Sequence, residues 1–176
     1  MKKNIFLTGA PSSGKTTVIK KVIKKVIKQL TLPAKGFYTE EEREGDRRVG
    51  FLMHTLDGKT GYLAHQEIES EHRIRRYGVS MENLETIAVP SLEPEEGKVI
   101  ILDEIGKMEC FSRAFCEAAK NALDSPNPVI GTITYGGTGF IADVKARKDI
   151  EIIEVTEENR DVLPSLIIEK IEKENR

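Results

Sequence analysis

Tryptophan is missing from the 176 residues, cysteine occurs twice and histidine three times. So small a stock of thiols and imidazoles excludes a disulfide framework. It also leaves too little for a four-ligand zinc centre, since His54, His65 and His72 show no ligand spacing with either cysteine. Cys110 and Cys116 read as members of one helix, about 9 Å apart along its axis and too far for a disulfide. That usage suits a reducing cytoplasm. No run of 18 apolar residues exists, so no membrane-spanning helix is expected. The opening Met1-Lys2-Lys3-Asn4-Ile5-Phe6-Leu7 starts as a secretory leader does, but gives way at once to Gly, Pro and Ser. Low-complexity stretches and linkers are missing too. With 39% hydrophobic and 32% charged residues, disordered and collagen-like chains are excluded, and one domain over residues 1–176 is expected.

Acid is missing from one region. Residues 1–30 hold eight lysines and no Asp or Glu, while the other 146 carry 19 basic and 29 acidic side chains, a net −10. A basic segment suits nucleic acid, a membrane surface or a phosphate ligand. Beyond Lys15, a solvated helix face explains the lysines more simply.

What is present alternates between two periods. Asn4–Thr8 reads as a short buried strand. From Gly14, Val18, Ile19, Val22, Ile23, Val26, Ile27 and Leu30 fall on one face of a helix ended by Pro33, with lysines opposite. Gly36–Glu40 and Arg48–Leu56 read as strands joined by a turn at Gly45-Asp46, and Gly61–Ala64 as a third. A helix is expected over Met81–Ala88, closed by Pro90. Val99-Ile100-Ile101-Leu102 is a continuous apolar run, the mark of a strand buried on both faces of a parallel sheet. A helix over Ser112–Leu123, strands at Val129–Thr134 and Ile150–Val155, and a last helix opened by Thr156-Glu157-Glu158-Asn159 complete the series. That helix is expected to bury Leu166, Ile167 and Ile171. The alternation predicts an α/β fold, a mainly parallel sheet flanked by helices with an antiparallel hairpin insertion.

Between the first strand and first helix sits Gly9-Ala10-Pro11-Ser12-Ser13-Gly14-Lys15-Thr16. This is the G-x-x-x-x-G-K-[ST] pattern of a phosphate-binding loop. Its glycines let successive N–H groups face one anion, and the helix adds the positive end of its dipole. Lys15 is placed to reach the β- and γ-phosphates, and the Thr16 hydroxyl to ligate Mg²⁺. The second element is Val99-Ile100-Ile101-Leu102-Asp103-Glu104-Ile105-Gly106, two acids at the carboxyl end of a strand, where open α/β sheets bind ligands. Asp103 is expected to hold Mg²⁺ opposite Thr16, and Glu104 to polarise a water for in-line attack on the γ-phosphate. Asp103-Glu104-Ile105-Gly106 also fits the D-x-x-G of signalling GTPases, but the guanine-reading [NT]-K-x-D is missing. Guanine-specific switching is therefore not expected.

Weaker candidates are Thr132 and Thr134 toward the water or γ-phosphate, and Lys107, Arg147 or the Arg43/Arg47/Arg48 group as charge stabilisers. Gly136-Gly137-Thr138-Gly139 is a candidate loop over the site. The phenylalanines and tyrosines read as core before they read as base-stacking platforms.

Phe6-Leu7-Thr8-Gly9, Gly14-Lys15-Thr16-Thr17, Gly36-Phe37-Tyr38-Thr39-Glu40-Glu41 and Arg47-Arg48-Val49-Gly50-Phe51 occur in this order. Asp103-Glu104-Ile105-Gly106-Lys107-Met108-Glu109 and Val155-Thr156-Glu157-Glu158-Asn159-Arg160 follow. Together they resemble the thermophile-type nucleoside-triphosphatase family, which has a human cancer-related member, over nearly the whole chain. The resemblance implies a P-loop hydrolase, similar in fold to nucleotide kinases and RecA-like ATPases. It would split ATP, GTP, CTP and UTP to diphosphate and phosphate with Mg²⁺. Its nucleotide-binding segments fall on Gly9–Thr16 and Val99–Gly106. Two departures stand out: Ser12-Ser13 replaces a frequent Gly-Val, and Thr134–Phe140 is shorter and richer in glycine.

The expectation is a monomeric, cytoplasmic enzyme with nucleoside triphosphates as partners and no membrane. Two alternatives stand beside it. One is a nucleotide or small-molecule kinase using the same loop. The other is a nucleotide-dependent nucleic-acid-binding module using the Lys20–Lys28 face.

Overall fold

The computed structural model describes residues 2–10, 13–29 and 32–174. Nine strands form one sheet in the order β5-β6-β4-β3-β2-β7-β8-β1-β9. In chain terms these are β1 (Asn4–Thr8), β2 (Ala34–Glu44), β3 (Arg47–Thr55), β4 (Thr60–His65), β5 (Arg73–Ile74), β6 (Tyr77–Val79), β7 (Val99–Ile105), β8 (Val129–Ile133) and β9 (Ile150–Glu154). From β2 to β9 every neighbour is parallel; from β2 to β5 every neighbour is antiparallel. The antiparallel addition therefore exceeds a single hairpin. Strands β5 and β6 are too short to carry a readable period.

The parallel half is built by alternation between two buried faces. Ile5, Leu7, Val99, Ile101 and Ile130 pack against Val18, Ile19 and Val22 of α1 (Lys15–Gln29). Leu163, Ile167, Ile168 and Ile171 of α6 (Leu163–Glu174) complete that layer. Phe6, Phe37, Ile100 and Leu102 turn the other way, toward Phe115, Ala119 and Leu123 of α4 (Arg113–Asp124). The α1 face expected from the sequence holds at Val18, Ile19 and Val22. The side chains of Ile23, Val26 and Ile27, and all of Leu30, lie outside the described residues.

Three local expectations fail for definable reasons. The expected Met81–Ala88 helix is α2 (Met81–Asn83), a π-helical turn Leu84–Ala88 and α3 (Val89–Ser91) in succession. Pro90 does not close it, because it occupies the first turn of α3, where a missing N–H is harmless. The last helix opens at Leu163, not at Thr156. Asn159 folds its side chain back, accepting from Thr156 N–H at 2.8 Å and donating to the Glu154 carbonyl at 2.8 Å. Its side chain thus supports a turn in place of a helix start. Leu166 accordingly stays 41% exposed, and Leu163 and Ile168 take its place in the core.

The cysteines do not share a helix either. Cys110 lies in the 3₁₀ turn Glu109–Phe111 and Cys116 in α4, and Ser112 caps α4 by accepting from Phe115 N–H at 3.0 Å. Both are free thiols, hydrogen-bonded to each other, and burial pushes the Cys110 thiol well up. Among the described residues no helix is long and apolar enough to cross a membrane.

Candidate active site

β1 ends at Thr8 and α1 begins at Lys15, so Gly9, Ala10, Ser13 and Gly14 belong to the connection. Pro11 and Ser12 lie outside the described residues. Gly14 has φ 94°, a conformation that a Cβ resists. Val18 N–H bonds the Gly14 carbonyl at 3.0 Å. The N–H groups ahead of it lie in the turn that a helix leaves without internal acceptors. No acidic residue occupies that first turn, so the positive end of the dipole is open to an anion. Thr8 Oγ1 and Ser13 Oγ are buried here without a hydrogen-bond partner among the described residues. Buried hydroxyls need a partner, and the loop offers them to a bound polar group.

The opposite wall is the carboxyl end of β7. Val99, Ile100, Ile101 and Leu102 are wholly core, and they carry Asp103, Glu104, Ile105 and Gly106 up to the loop. Asp103 is only 1% exposed. It accepts from the Thr132 hydroxyl at 2.6 Å and from the Thr39 backbone N–H at 3.3 Å. Burial raises its pKa to about 6, with Glu104 pushing the same way against Thr132, Thr39 and Lys15. A carboxylate held by neutral donors in a dry place lacks a cation. Thr132 therefore orients Asp103 from within the core and does not face an attacking water; Thr134 lies just past the end of the same strand, its N–H bonded to the Ile105 carbonyl at 3.1 Å.

Glu104, joined to Asp103 by a cis peptide bond, points the other way. Its Oε2 lies 3.5 Å from Lys15 Nζ, with the two side chains 33% and 16% exposed. Gly106 explains how so many charges fit. A Cβ there would stand 2.7 Å from Glu104 Oε1 and 3.0 Å from Glu109 Oε2.

Glu109 is the residue the sequence reading left without a role. It is 4% exposed and accepts from Gly106 N–H at 3.1 Å. Burial first, then Glu104 and Asp103, hold its carboxyl well above the usual range. No periodicity announces it, because a 3₁₀ turn folds it back under Gly106. Lys145, in α5 (Phe140–Lys145), was missed as well. It donates to the Tyr135 carbonyl at 2.5 Å, and its pKa is lowered by burial and then by the charge of Lys15.

The proposed arginines are occupied elsewhere. Arg147 binds Asp124 at 2.7 Å and Asp149 at 2.8 Å, the latter just ahead of β9 at the sheet's other edge. Arg43 and Arg48 bind Glu41 at 2.8 and 2.9 Å, and Arg47 lies 3.9 Å from Glu44. Lys107 is exposed beside Gly106, as are Gly136 to Gly139 beyond β8. Phe6, Phe37, Tyr77 and Phe115 are core, and Tyr38, Phe51 and Phe140 pack against it half-buried, whereas Tyr62, Phe111 and Tyr135 are exposed, Tyr135 at 61%. The basic face of α1 is partly neutralised: Lys20 binds Glu40 at 2.5 Å and Lys21 lies 3.7 Å from Asp161.

The donors beside the loop suit a divalent metal. Thr16 and Asp103 offer hard oxygens, and Asp103 is a buried carboxylate short of positive charge. Among the described residues no group of three or more His, Cys, Asp or Glu is arranged to hold a metal alone. That set fits Mg²⁺, which favours one or two protein oxygens completed by phosphates and water.

The comparisons agree with this geometry. A family model described as NTPase matches residues 4–168. The nucleoside-triphosphatase THEP1 of Thermotoga maritima is 45% identical over 166 residues, covering 93% of this chain and 92% of that one. The human cancer-related nucleoside-triphosphatase is 38% identical, covering 95% and 96%. The crystal structure of THEP1 from Aquifex aeolicus superposes with a TM-score of 0.85 at 34% identity, covering 96% of this chain and 99% of that one. A glycine loop on a parallel sheet, faced by paired acids, thus comes with likeness along nearly the full length: the chain belongs to the NTPase family.

Proposed function

We propose that this nucleoside-triphosphatase is Mg²⁺-dependent, tolerant of the base, and releases nucleoside diphosphate and inorganic phosphate, acting as one domain in the cytoplasm. The observation that carries the reading is Lys15 lying 3.5 Å from Glu104, with Asp103 buried behind them.

The loop from Gly9 to Thr16 receives the β- and γ-phosphates on backbone N–H groups, and Lys15 leaves Glu104 for the phosphoryl oxygens. Glu104, freed of its counter-ion, accepts a proton from the water that attacks the γ-phosphorus in line. The bond from the γ-phosphorus to its bridging oxygen breaks, and the diphosphate leaves carrying that oxygen. Thr16 and Asp103 would hold Mg²⁺, which would supply neutralisation of the phosphate charge. Thr132 and Thr39 hold the Asp103 carboxylate in place. Base tolerance is supported by the missing [NT]-K-x-D.

The test is phosphate release from ATP, GTP, CTP and UTP with no acceptor present, first with Mg²⁺ and then with EDTA. Release from all four that EDTA abolishes is expected. Release confined to one base, or unaffected by EDTA, contradicts the reading; tight binding without release points to a kinase lacking its acceptor.

A further inference from the structure

The segment after β9, Val155 to Arg160, belongs to the wall of the phosphate loop, yet nothing in the chemistry above uses it. Val155 N–H bonds the Thr8 carbonyl at 2.7 Å, and a Cβ on Gly9 would stand 3.0 Å from the Val155 carbonyl oxygen. The two bonds of Asn159 to Thr156 and Glu154 brace the turn. A further backbone bond, Arg160 N–H to the Thr156 carbonyl, measures 3.1 Å. From this braced turn the Arg160 side chain reaches across Gly14. Its Cδ lies 3.6 Å from the point a Cβ on Gly14 would occupy. Arg160 is exposed, and its guanidinium has no carboxylate or hydrogen-bond partner among the described residues. Its neighbour Asp161 faces Lys21 instead.

Sheet order then gives the direction of the bound triphosphate. The acids lie on β7, the phosphate loop follows β1, and β9 is beyond β1 on the far side from β7. A triphosphate whose γ end faces Glu104 and whose middle lies in the loop must send its sugar and base toward β9. Arg160 stands there, one residue's width from the loop and clear of the acids.

We propose that the Arg160 guanidinium stacks on the face of the nucleotide base and holds the nucleoside end of the substrate. A guanidinium is planar, always charged and weakly hydrated, so it stacks well on aromatic faces. Every base has such a face. Contact there adds affinity without reading the hydrogen-bonding edge, which is how one site accepts four bases. The inference rests on the nucleoside-triphosphatase reading and deepens it.

The test compares ATP, UTP and inorganic tripolyphosphate, each with Mg²⁺. Affinity is measured by calorimetry and turnover by phosphate release, in the wild type, Arg160→Ala and Arg160→Lys. In Arg160→Ala the affinity for ATP falls about tenfold and that for UTP less, following ring size, the scale expected of a partly desolvated stack. Affinity for tripolyphosphate and kcat on ATP stay within twofold. Arg160→Lys remains weakened, because the charge survives and the planar group does not. Equal losses for ATP and tripolyphosphate, repaired by lysine, would make Arg160 a phosphate contact and overturn the proposal. So would unchanged ATP affinity in Arg160→Ala. A wild type that binds ATP without releasing phosphate would remove the hydrolase reading alone, and the paired affinities would still decide Arg160.

Discussion

The neighbouring strands β2 and β7 carry charged clusters at both ends, and the two ends behave in opposite ways. At their amino ends Lys35 binds Glu95 at 2.5 Å, and Lys98 binds the same carboxylate. These side chains line an open cavity of about 360 Å³ with Asp57 and Lys59. The lysine partners hold the Glu95 carboxyl down at about 2. At the carboxyl ends, Asp103 and Glu109 are buried, raised in pKa, and answered by too little positive charge. The lesson is that a balanced charge cluster in water is finished, whereas an unbalanced one in a dry place awaits a ligand. The two clusters flank opposite ends of β7, so position along the strand and not composition separates solvated surface from chemistry.

Three substitutions sharpen that contrast. The largest effect is expected at Lys15. Lys15→Ala removes the site's principal cation, lowering turnover by about 10²- to 10³-fold and weakening nucleotide binding. Full activity would take the loop out of the mechanism.

Glu109→Gln is expected to act on stability through pH. Below the unfolded carboxyl value of about 4.3, Glu109 is protonated in both states, and its burial carries no ionisation penalty. As pH rises from there toward its raised folded value, only the unfolded chain gives up the proton, and wild-type stability falls. Glutamine cannot ionise, so thermal melts of apo protein in EDTA should show the variant gaining on wild type as pH rises above about 4.3. A constant difference as pH rises would mean that the fold does not hold the Glu109 carboxyl above its unfolded value.

The smallest effect belongs to the other edge. Glu95→Gln should leave melting temperature and turnover unchanged within error, since exposed pairs contribute little. A clear loss of turnover would break the contrast between the two ends.

Much of this was legible in the chain. Asn4–Thr8 is the observed first strand residue for residue, and Val99–Leu102 leads directly to Asp103. Both stretches are apolar runs buried on two faces, where pattern and burial coincide. The loop was legible because glycine, lysine and threonine at fixed spacing are needed together for one anion. What escaped was set by tertiary placement. Glu109 reaches the site through a turn that no period encodes, and Lys145 through a short helix behind an exposed glycine-rich bend. At Asn159 the same residue type serves a helix cap or a turn, and only packing of the turn against the phosphate loop decides between them.

Glu104, released by Lys15, is proposed as the base for water. Its most direct test is phosphate release from ATP with Mg²⁺ by Glu104→Gln and wild type, with nucleotide affinity measured on the same preparations. Turnover reduced by roughly 10²-fold or more, with affinity retained, is expected. Unchanged kcat in Glu104→Gln would contradict it.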